Sequence, residues 1–351
     1  MSTIIFDRTH GGADLCDALI DFSVSINPFG PPPAAVDAYH RAAAAIGAYP
    51  EPYAAALTAA IASSLGVAPA NVLAGNGSTQ LIYLIARVLR PARPVVVIPA
   101  FSEIANSLMT HSTVPAPLLL RPEHRFQLQI EAVDEALAAG ADALFLGRPN
   151  SPTGASIDMA RISEIAQRCG ARRCWCVIDE AFIDLADEPL SAAPLAARSD
   201  RVIVLRSLTK LYAIPGLRLG YLVGDERVVA ELTRALEPWS VSAPAAAVGL
   251  ACLAQPQSWR EEVRTALRCE RVYLEDGLRA IAGVQVFPST ANFLMLAVRP
   301  GSRPLAEHLR ERGIAVRDLA ALPGAGPGLY RIGVRARPDN ERLLAALRSY
   351  R

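Results

Sequence analysis

The chain has 351 residues, with 35 Lys and Arg against 34 Asp and Glu, for a formal net charge of +1. Such balance argues against nucleic acid or a membrane surface as partner, so any anion site must be local. The length suffices for a large and a small domain with substantial cores.

Met1–Arg8 lacks a long apolar region, so no signal peptide is expected. No run of about 18 apolar residues free of charge predicts a transmembrane helix, and a cytoplasmic location is expected. The cysteines are Cys16, Cys169, Cys174, Cys176, Cys252 and Cys269, without Cys-x-x-Cys spacing. They read as small buried thiols rather than disulfides or metal ligands. The histidines are scattered and no metal site is predicted.

Residues 1–30, punctuated by Gly and Pro, read as an irregular arm. Pro31-Pro32-Pro33 opens a helix-rich stretch whose alanines favour helix. From about 70 to 225, strands alternate with helices, predicting a mainly parallel, doubly wound α/β sheet. Strands are expected near Val95–Ile98, Ala143–Leu146, Trp175–Ile178, Val202–Leu205 and Arg218–Val223. Within this region, Gly75-Asn76-Gly77-Ser78-Thr79 precedes Leu81, Ile82, Leu84, Ile85, Val88 and Leu89, a helical spacing. The amino end of such a helix offers free N–H groups, a positive dipole and two hydroxyls, which suits a phosphate. No Gly-Lys-Ser/Thr follows, so it is not a nucleotide P-loop, and Gln80 breaks Gly-x-Gly-x-x-Gly. A capped turn explains the motif equally well by itself. Phe101, after the Val95–Ile98 strand, could stack on a flat ring, although a lone Phe usually belongs to a core.

Asp179 closes the apolar run Trp175-Cys176-Val177-Ile178, where open α/β sheets bind ligands. A carboxylate there can keep a pyridine nitrogen protonated, or merely cap the next helix. Lys210 lies in Ser207-Leu208-Thr209-Lys210, with Arg218 eight residues on. Hydroxyls and an arginine beside a lysine suit an amine that captures an aldehyde next to a phosphate. A surface lysine near a turn is the bland alternative.

After residue 251 a small α+β domain is predicted. Ser258 is expected to cap a long helix through Leu278. Strands follow near Val284–Phe287, Phe293–Val298, Ile314–Arg317 and Leu329–Val334, with helices near 303–312 and 340–349. Domain bounds are thus 1–30, 31–250 and 251–351, with the helix near 31–65 expected to pack with the small domain.

Ser207-x-x-Lys210 with Arg218, Asp179, and Asn150-Ser151-Pro152-Thr153-Gly154 stand in the order of a known family. The chain resembles a fold-type I, pyridoxal-phosphate-dependent enzyme of the class I/II aminotransferase superfamily, from about residue 10 to the C-terminus. The resemblance implies that Lys210 holds the cofactor aldehyde, Asp179 its ring nitrogen and Phe101 a ring face. It implies Gly77, Ser78, Thr79, Ser207 and Arg218 around the cofactor phosphate, with Asn150 and Ser151 near its 3-oxygen. Tyr49 matches a tyrosine that reaches the phosphate of a neighbouring subunit, implying a homodimer. Arg317 and Arg331 match substrate-binding arginines.

Within the superfamily, threonine-phosphate decarboxylases and histidinol-phosphate aminotransferases are the neighbours. His10-Gly11-Gly12 resembles the substrate-covering segment of the decarboxylases. Asp21–Gly30, with Ser25 and Asn27, is similar to their next block, and Phe182 stands where the aminotransferases carry Tyr. The implied reaction is decarboxylation of O-phospho-L-threonine to (R)-1-amino-2-propanol phosphate, with His10, Gly11, Gly12, Ser25, Asn27, Arg317 and Arg331 on the substrate. The alternative is histidinol-phosphate transamination with 2-oxoglutarate. A non-catalytic binding protein on the same fold is a third reading, against which Lys210 counts. Ser151 stands where the family usually has an Asn bonded to the 3-oxygen and Phe182 lacks the usual hydroxyl, so the 3-oxygen is expected to lose two usual donors; Ser25 separately stands where the decarboxylases usually have Asn.

Overall fold

The computed structural model describes residue 12 and residues 19–350. Its strands, in chain order, are β1 Ile20–Asp21, β2 Val72–Gly75, β3 Pro94–Ile98, β4 Ala116–Leu119, β5 Ala143–Gly147, β6 Trp175–Asp179 and β7 Val202–Ser207. They continue with β8 Gly220–Gly224, β9 Val284–Val286, β10 Phe293–Val298, β11 Ile314–Ala315, β12 Arg317–Asp318 and β13 Leu329–Gly333.

Seven of them form one sheet in the order β2-β8-β7-β6-β5-β3-β4. Only β8 runs against its neighbours, pairing antiparallel with both β2 and β7, so the sheet is mainly parallel as expected. Both faces are covered. Val95, Val97, Leu144, Leu146, Cys176 and Ile178 enter the core on one side. Val96, Ile98, Phe145, Val177, Ile203 and Leu205 enter the core on the other. This double burial is why the strands read as continuous apolar runs rather than alternating ones.

The parallel strands all end at one edge of the sheet. There Gly75 pairs with Gly220, Gly147 with Asp179, and Ser207 with Gly220. The segments just past these ends carry the motifs of interest, so the topology gathers them.

The small domain is an antiparallel sheet, β12-β13-β10-β9, backed by helices Gln257–Arg279, Leu305–Arg310 and Arg337–Arg348. Leu294, Leu296, Tyr330 and Ile332 face those helices with Leu274, Leu278, Leu343 and Leu347. The period of two then turns Arg331 to the opposite face, toward the large domain.

Several expectations change. Ser258 lies inside its helix, whose N-cap is Pro256 with no side-chain bond, because proline already sets the extended entry. The predicted strand at 314–317 is two strands in different sheets: β11 pairs with β1, while β12 pairs with β13. The arm is therefore not wholly irregular, since Ile20–Asp21 adds a parallel strand to β11. Arg218 precedes β8 rather than opening it, with a left-handed φ of 53°. Helix Pro33–Ala42 packs on helix Ala243–Leu253. Its buried face is Ala35, Ala38 and Ala42, small enough for close helix contact. Four cysteines are buried thiols, but Cys269 is exposed and Cys16 lies outside the described residues. Among the described residues, no helix is long and apolar enough to cross a membrane.

Candidate active site

A cleft of about 420 Å³ lies between the carboxyl edge of the large sheet and the small domain. Its walls include Gly77, Ser78, Thr79, Phe101, Ser151, Asp179, Phe182, Ser207, Lys210 and Arg218 from the large domain. The small domain contributes Arg317 and Arg331, and the arm contributes Ser23 and Ser25.

Lys210 follows β7 in a tight loop. Its side chain lies 5.3 Å from the centre of the Phe182 ring, and its carbonyl accepts the Asn27 N–H at 3.0 Å. Burial lowers the amine to about 8, assisted by the charges of Arg331 and Arg218 and opposed by Asp179. Asp179, at the end of β6, accepts the Ala181 N–H at 2.9 Å. Burial raises its carboxyl to about 6, against the Ala181 N–H and Lys210, which favour ionisation. An amine and an acid shifted toward neutrality in one cleft mark it as a candidate site of chemistry.

At one end of the cleft, helix Gly77–Leu89 presents its amino end. Gly77 has φ 75°, and a Cβ there would meet Arg218 Nη2 at 2.7 Å. A Cβ on Gly220 would come within 2.5 Å of the Ser78 nitrogen. Two glycines thus let backbone N–H groups, the guanidinium and the Ser207–Thr209 hydroxyl pair, 2.7 Å apart, surround one small volume. That is an anion cradle.

On the small-domain side, Arg317 and Arg331 are directly opposed across β12 and β13. Arg331 donates from Nη1 to Ser151 Oγ at 3.0 Å and from Nη2 to the Ser23 carbonyl at 2.7 Å. Its Nε and the Ser25 hydroxyl are buried without a partner. Burial and then the Arg317 charge lower Arg331 to about 10, with Asp21 opposing.

Some expected site residues stand elsewhere. Asn150 is behind the cleft, its amide donating to the Pro99 carbonyl at 2.9 Å and to Thr153 at 3.0 Å. It ties the Pro99–Phe101 turn to the 150–154 loop, while Ser151 is the one that faces the cleft. Asn27 is likewise not a wall residue: its side chain donates to the Leu211 carbonyl at 3.0 Å and anchors the lysine loop. Gly12 also stands off the wall, with its N–H on Ser23 Oγ at 2.8 Å. Tyr49 is 86% exposed and leans on Trp239, outside this chain's cleft. His10 and Gly11 lie outside the described residues. The sequence reading missed Ser23 and Glu103 as wall residues. Glu103 is buried, with the Tyr83 hydroxyl at 2.6 Å and the Asn106 amide at 2.9 Å. Only its place two residues beyond Phe101 could have signalled it.

The model of the aminotransferase class I and II family matches residues 17–349. The chain belongs to this family. It is 37% identical over 355 residues to a threonine-phosphate decarboxylase of Salmonella typhimurium, covering 98% of this chain and 97% of the relative. It is 34% identical over 330 residues to a histidinol-phosphate aminotransferase of Anaeromyxobacter sp., covering 92% and 88%. The structure of histidinol-phosphate aminotransferase from Sinorhizobium meliloti in complex with pyridoxal-5'-phosphate matches with a TM-score of 0.83 at 24% identity. That match covers 93% of this chain and 88% of the other.

Members of this family depend on pyridoxal phosphate, and the cleft fits that group on its own evidence. Because Gly77 lacks a Cβ, the Arg218 guanidinium can lie directly against the amino end of the helix. A buried carboxylate stands ready for a cationic ring nitrogen, and a lysine with a lowered pKa stands ready for an aldehyde. The Gly77→Ala variant should push Arg218 away and weaken cofactor binding about tenfold or more, the scale of one charge-assisted hydrogen bond. Spectrophotometric titration of the cofactor-free protein checks this.

Proposed function

We propose that this chain binds pyridoxal 5'-phosphate and decarboxylates O-phospho-L-threonine, releasing carbon dioxide and (R)-1-amino-2-propanol phosphate. One observation carries the reading: Arg317 and Arg331 oppose each other directly across two strands, inside the cleft that holds Lys210. Arg331 feels the Arg317 charge, and a ligand with strong negative charge would be drawn to both. The cradle at Gly77 and Arg218 is built by the large domain and this pair by the small one, so the cleft would offer cationic groups to both cofactor phosphate and substrate. The length and extent of the similarity to the Salmonella decarboxylase favour the same substrate class.

The cofactor, when bound, supplies an aldehyde and an electron-accepting ring. Lys210 would hold the aldehyde, Asp179 the ring nitrogen, Phe101 a ring face, and Gly77, Ser78, Thr79, Ser207 and Arg218 the phosphate. Arg317 and Arg331 would grip the substrate's phosphate and carboxylate through planar, bidentate contacts. Ser25 has a buried hydroxyl still to be satisfied, which suits the same ligand. Lys210 Nζ, with its pKa near 8, can hold a proton at neutral pH and pass it to the carbon from which carbon dioxide departs.

The reading extends to a homodimer. Val36, Tyr39, Ile46, Tyr49, Trp239 and Leu250 are exposed apolar side chains on or beside helices Pro33–Ala42 and Ala243–Leu253. A second copy would cover them, and Tyr49 would reach its cofactor phosphate. Sedimentation of the holoenzyme at micromolar concentration should give twice the chain mass.

The test of the reaction is carbon dioxide release from O-phospho-L-threonine with no keto acid present. Release supports the decarboxylase. No release, with the cofactor instead converted to its pyridoxamine form by histidinol phosphate, favours the transaminase reading, which the similarity to the Anaeromyxobacter enzyme supports. A protein that neither binds the cofactor nor responds to either compound would be a binding protein on this fold.

A further inference from the structure

We propose that Asp21 and Ser23 are positioning residues for Arg331: the Asp21 carboxylate fixes the Ser23 backbone, and the Ser23 carbonyl fixes the guanidinium. The inference rests on the reading of Arg331 as the group that takes the substrate's anion.

Asp21 Oδ1 accepts two bonds from the same residue, from the Ser23 N–H at 2.8 Å and from the Ser23 hydroxyl at 2.6 Å. Together they hold Ser23 by its amide and by its side chain, fixing the residue whose carbonyl opens the following peptide. The Ser23 carbonyl then points at Arg331 and accepts Nη2 at 2.7 Å. Ser23 is 7% exposed, so water has little access to its side of these bonds. The segment is clamped from both sides. The Phe22 N–H bonds the Ala315 carbonyl, and the Gly333 N–H bonds the Phe22 carbonyl, both at 2.8 Å. Gly333 makes the second contact possible, since a Cβ there would fall 2.2 Å from the Val24 carbonyl oxygen.

Arg331 is therefore gripped at both terminal nitrogens, Nη1 by Ser151 and Nη2 by Ser23, while its Nε is buried and makes no bond within the protein. Arginine has several rotatable bonds, and its repulsion from Arg317 across the strand pair would otherwise swing it out of register. Two fixed acceptors and a nearby carboxylate oppose that. The arm shares the arrangement, because the Gly12 N–H bonds the Ser23 hydroxyl. β1 thus sets the direction from which the substrate arginine faces the cleft.

The test compares Asp21→Ala, which removes charge and acceptor, with Asp21→Asn, which removes the charge and keeps the acceptor. Binding of inorganic phosphate to each holoenzyme is measured by calorimetry, alongside KM and kcat for O-phospho-L-threonine. Asp21→Ala should weaken phosphate binding and raise KM about tenfold, about 1.4 kcal/mol. Its kcat should stay within about twofold, and Asp21→Asn should lose about threefold in affinity. Unchanged affinity in Asp21→Ala overturns the proposal. So does an equal loss in both variants, which would make Asp21 a distant charge and not a positioning group. Should Asp21→Ala fail to fold, Ser23→Ala is compared with Ser23→Thr. Weakened binding in the first and recovery in the second support the proposal, and unchanged binding in the first sinks it. If the wild-type protein releases no carbon dioxide, the decarboxylase reading fails, while phosphate affinity still reports on Asp21 and Ser23.

Discussion

Lys210→Ala is expected to lower turnover by about 10³- to 10⁴-fold, the scale of losing a positioned nucleophile and proton carrier together. The substitution spares the local fold. The carbonyl of residue 210 still accepts the Asn27 N–H, and the Ser207–Thr209 hydroxyl pair is untouched. The variant should therefore still take up pyridoxal phosphate through the cradle, but without the long-wave absorption of the lysine-bound form. Carbon dioxide assays and absorbance spectra check the two halves, and retained turnover would overturn the role given to Lys210.

A pH dependence accompanies it. The folded amine titrates near 8, below its ordinary value of 10.5, because burial disfavours the ammonium. Capture of an aldehyde needs the neutral amine, so the rate of cofactor uptake by the cofactor-free protein should climb as pH rises through about 8. It should then level off, and Lys210→Ala should lack the step. The stability sign follows from the same shift. The lowered pKa means that the unfolded chain binds more protons between pH 8 and 10.5, so this group's contribution to stability rises with pH across that window. At pH 7 the ammonium in the cleft is a burden, and its removal should not lower the melting temperature.

Much of this was legible in the chain because buried parallel strands leave an unmistakable mark. Val95–Ile98 and Trp175–Ile178 were found with nearly correct ends. The motifs at the sheet edge follow from those ends, which is why Asp179, Lys210 and Arg218 could be placed before the structure. The failures have physical causes. β2 and β4 are only four residues each, and three of the four residues of β4 are exposed, so neither shows strong periodicity. Asn150 and Ser151 are chain neighbours that face opposite ways, and the turn of the 150–154 loop, not its composition, decides which one reaches the cleft. Asn27 looked like a ligand for the substrate, but its side chain bonds the local turn at Phe29 and Gly30 and, at 3.0 Å, the Leu211 carbonyl 184 residues away in sequence, a pairing no local pattern reveals. Arg317 and Arg331 were assigned by resemblance, and only the register made them cross-strand neighbours. The family itself hosts different reactions on one scaffold, so the reaction had to be argued from the site.

Glu180→Ala is expected to cost about 3–5 kcal/mol of stability, the usual result of deleting one partner from a buried ion pair. The carboxylate is fully buried, and its acceptor capacity is used on three sides. Oε1 takes Arg148 Nη1 at 2.7 Å and the Ala192 N–H at 2.9 Å, and Oε2 takes the Ser191 hydroxyl at 2.5 Å. Arg206 stands 3.9 Å from Oε2 and pairs with Asp184 at 2.5 Å. Burial works against the Arg206 charge, but Asp184 leads the groups that outweigh it and hold the guanidinium above its ordinary value. Without Glu180, Arg148 retains the Ile157 and Leu190 carbonyls but no counter-charge, at a site 3% exposed. Urea melts of wild type, Glu180→Ala and the double variant Glu180→Leu/Arg148→Met separate two accounts. If the penalty is an uncompensated buried cation, the double variant should recover much of the loss. If the ion pair instead carries net stability, it should recover little. The outcome bears on the site as well, because Glu180 follows Asp179 directly at the end of β6. A network that pins residue 180 on both oxygens also pins the peptide that presents the Asp179 carboxylate to the cleft. The folded fraction of Glu180→Ala should accordingly bind the cofactor more weakly, even at temperatures where it is fully native.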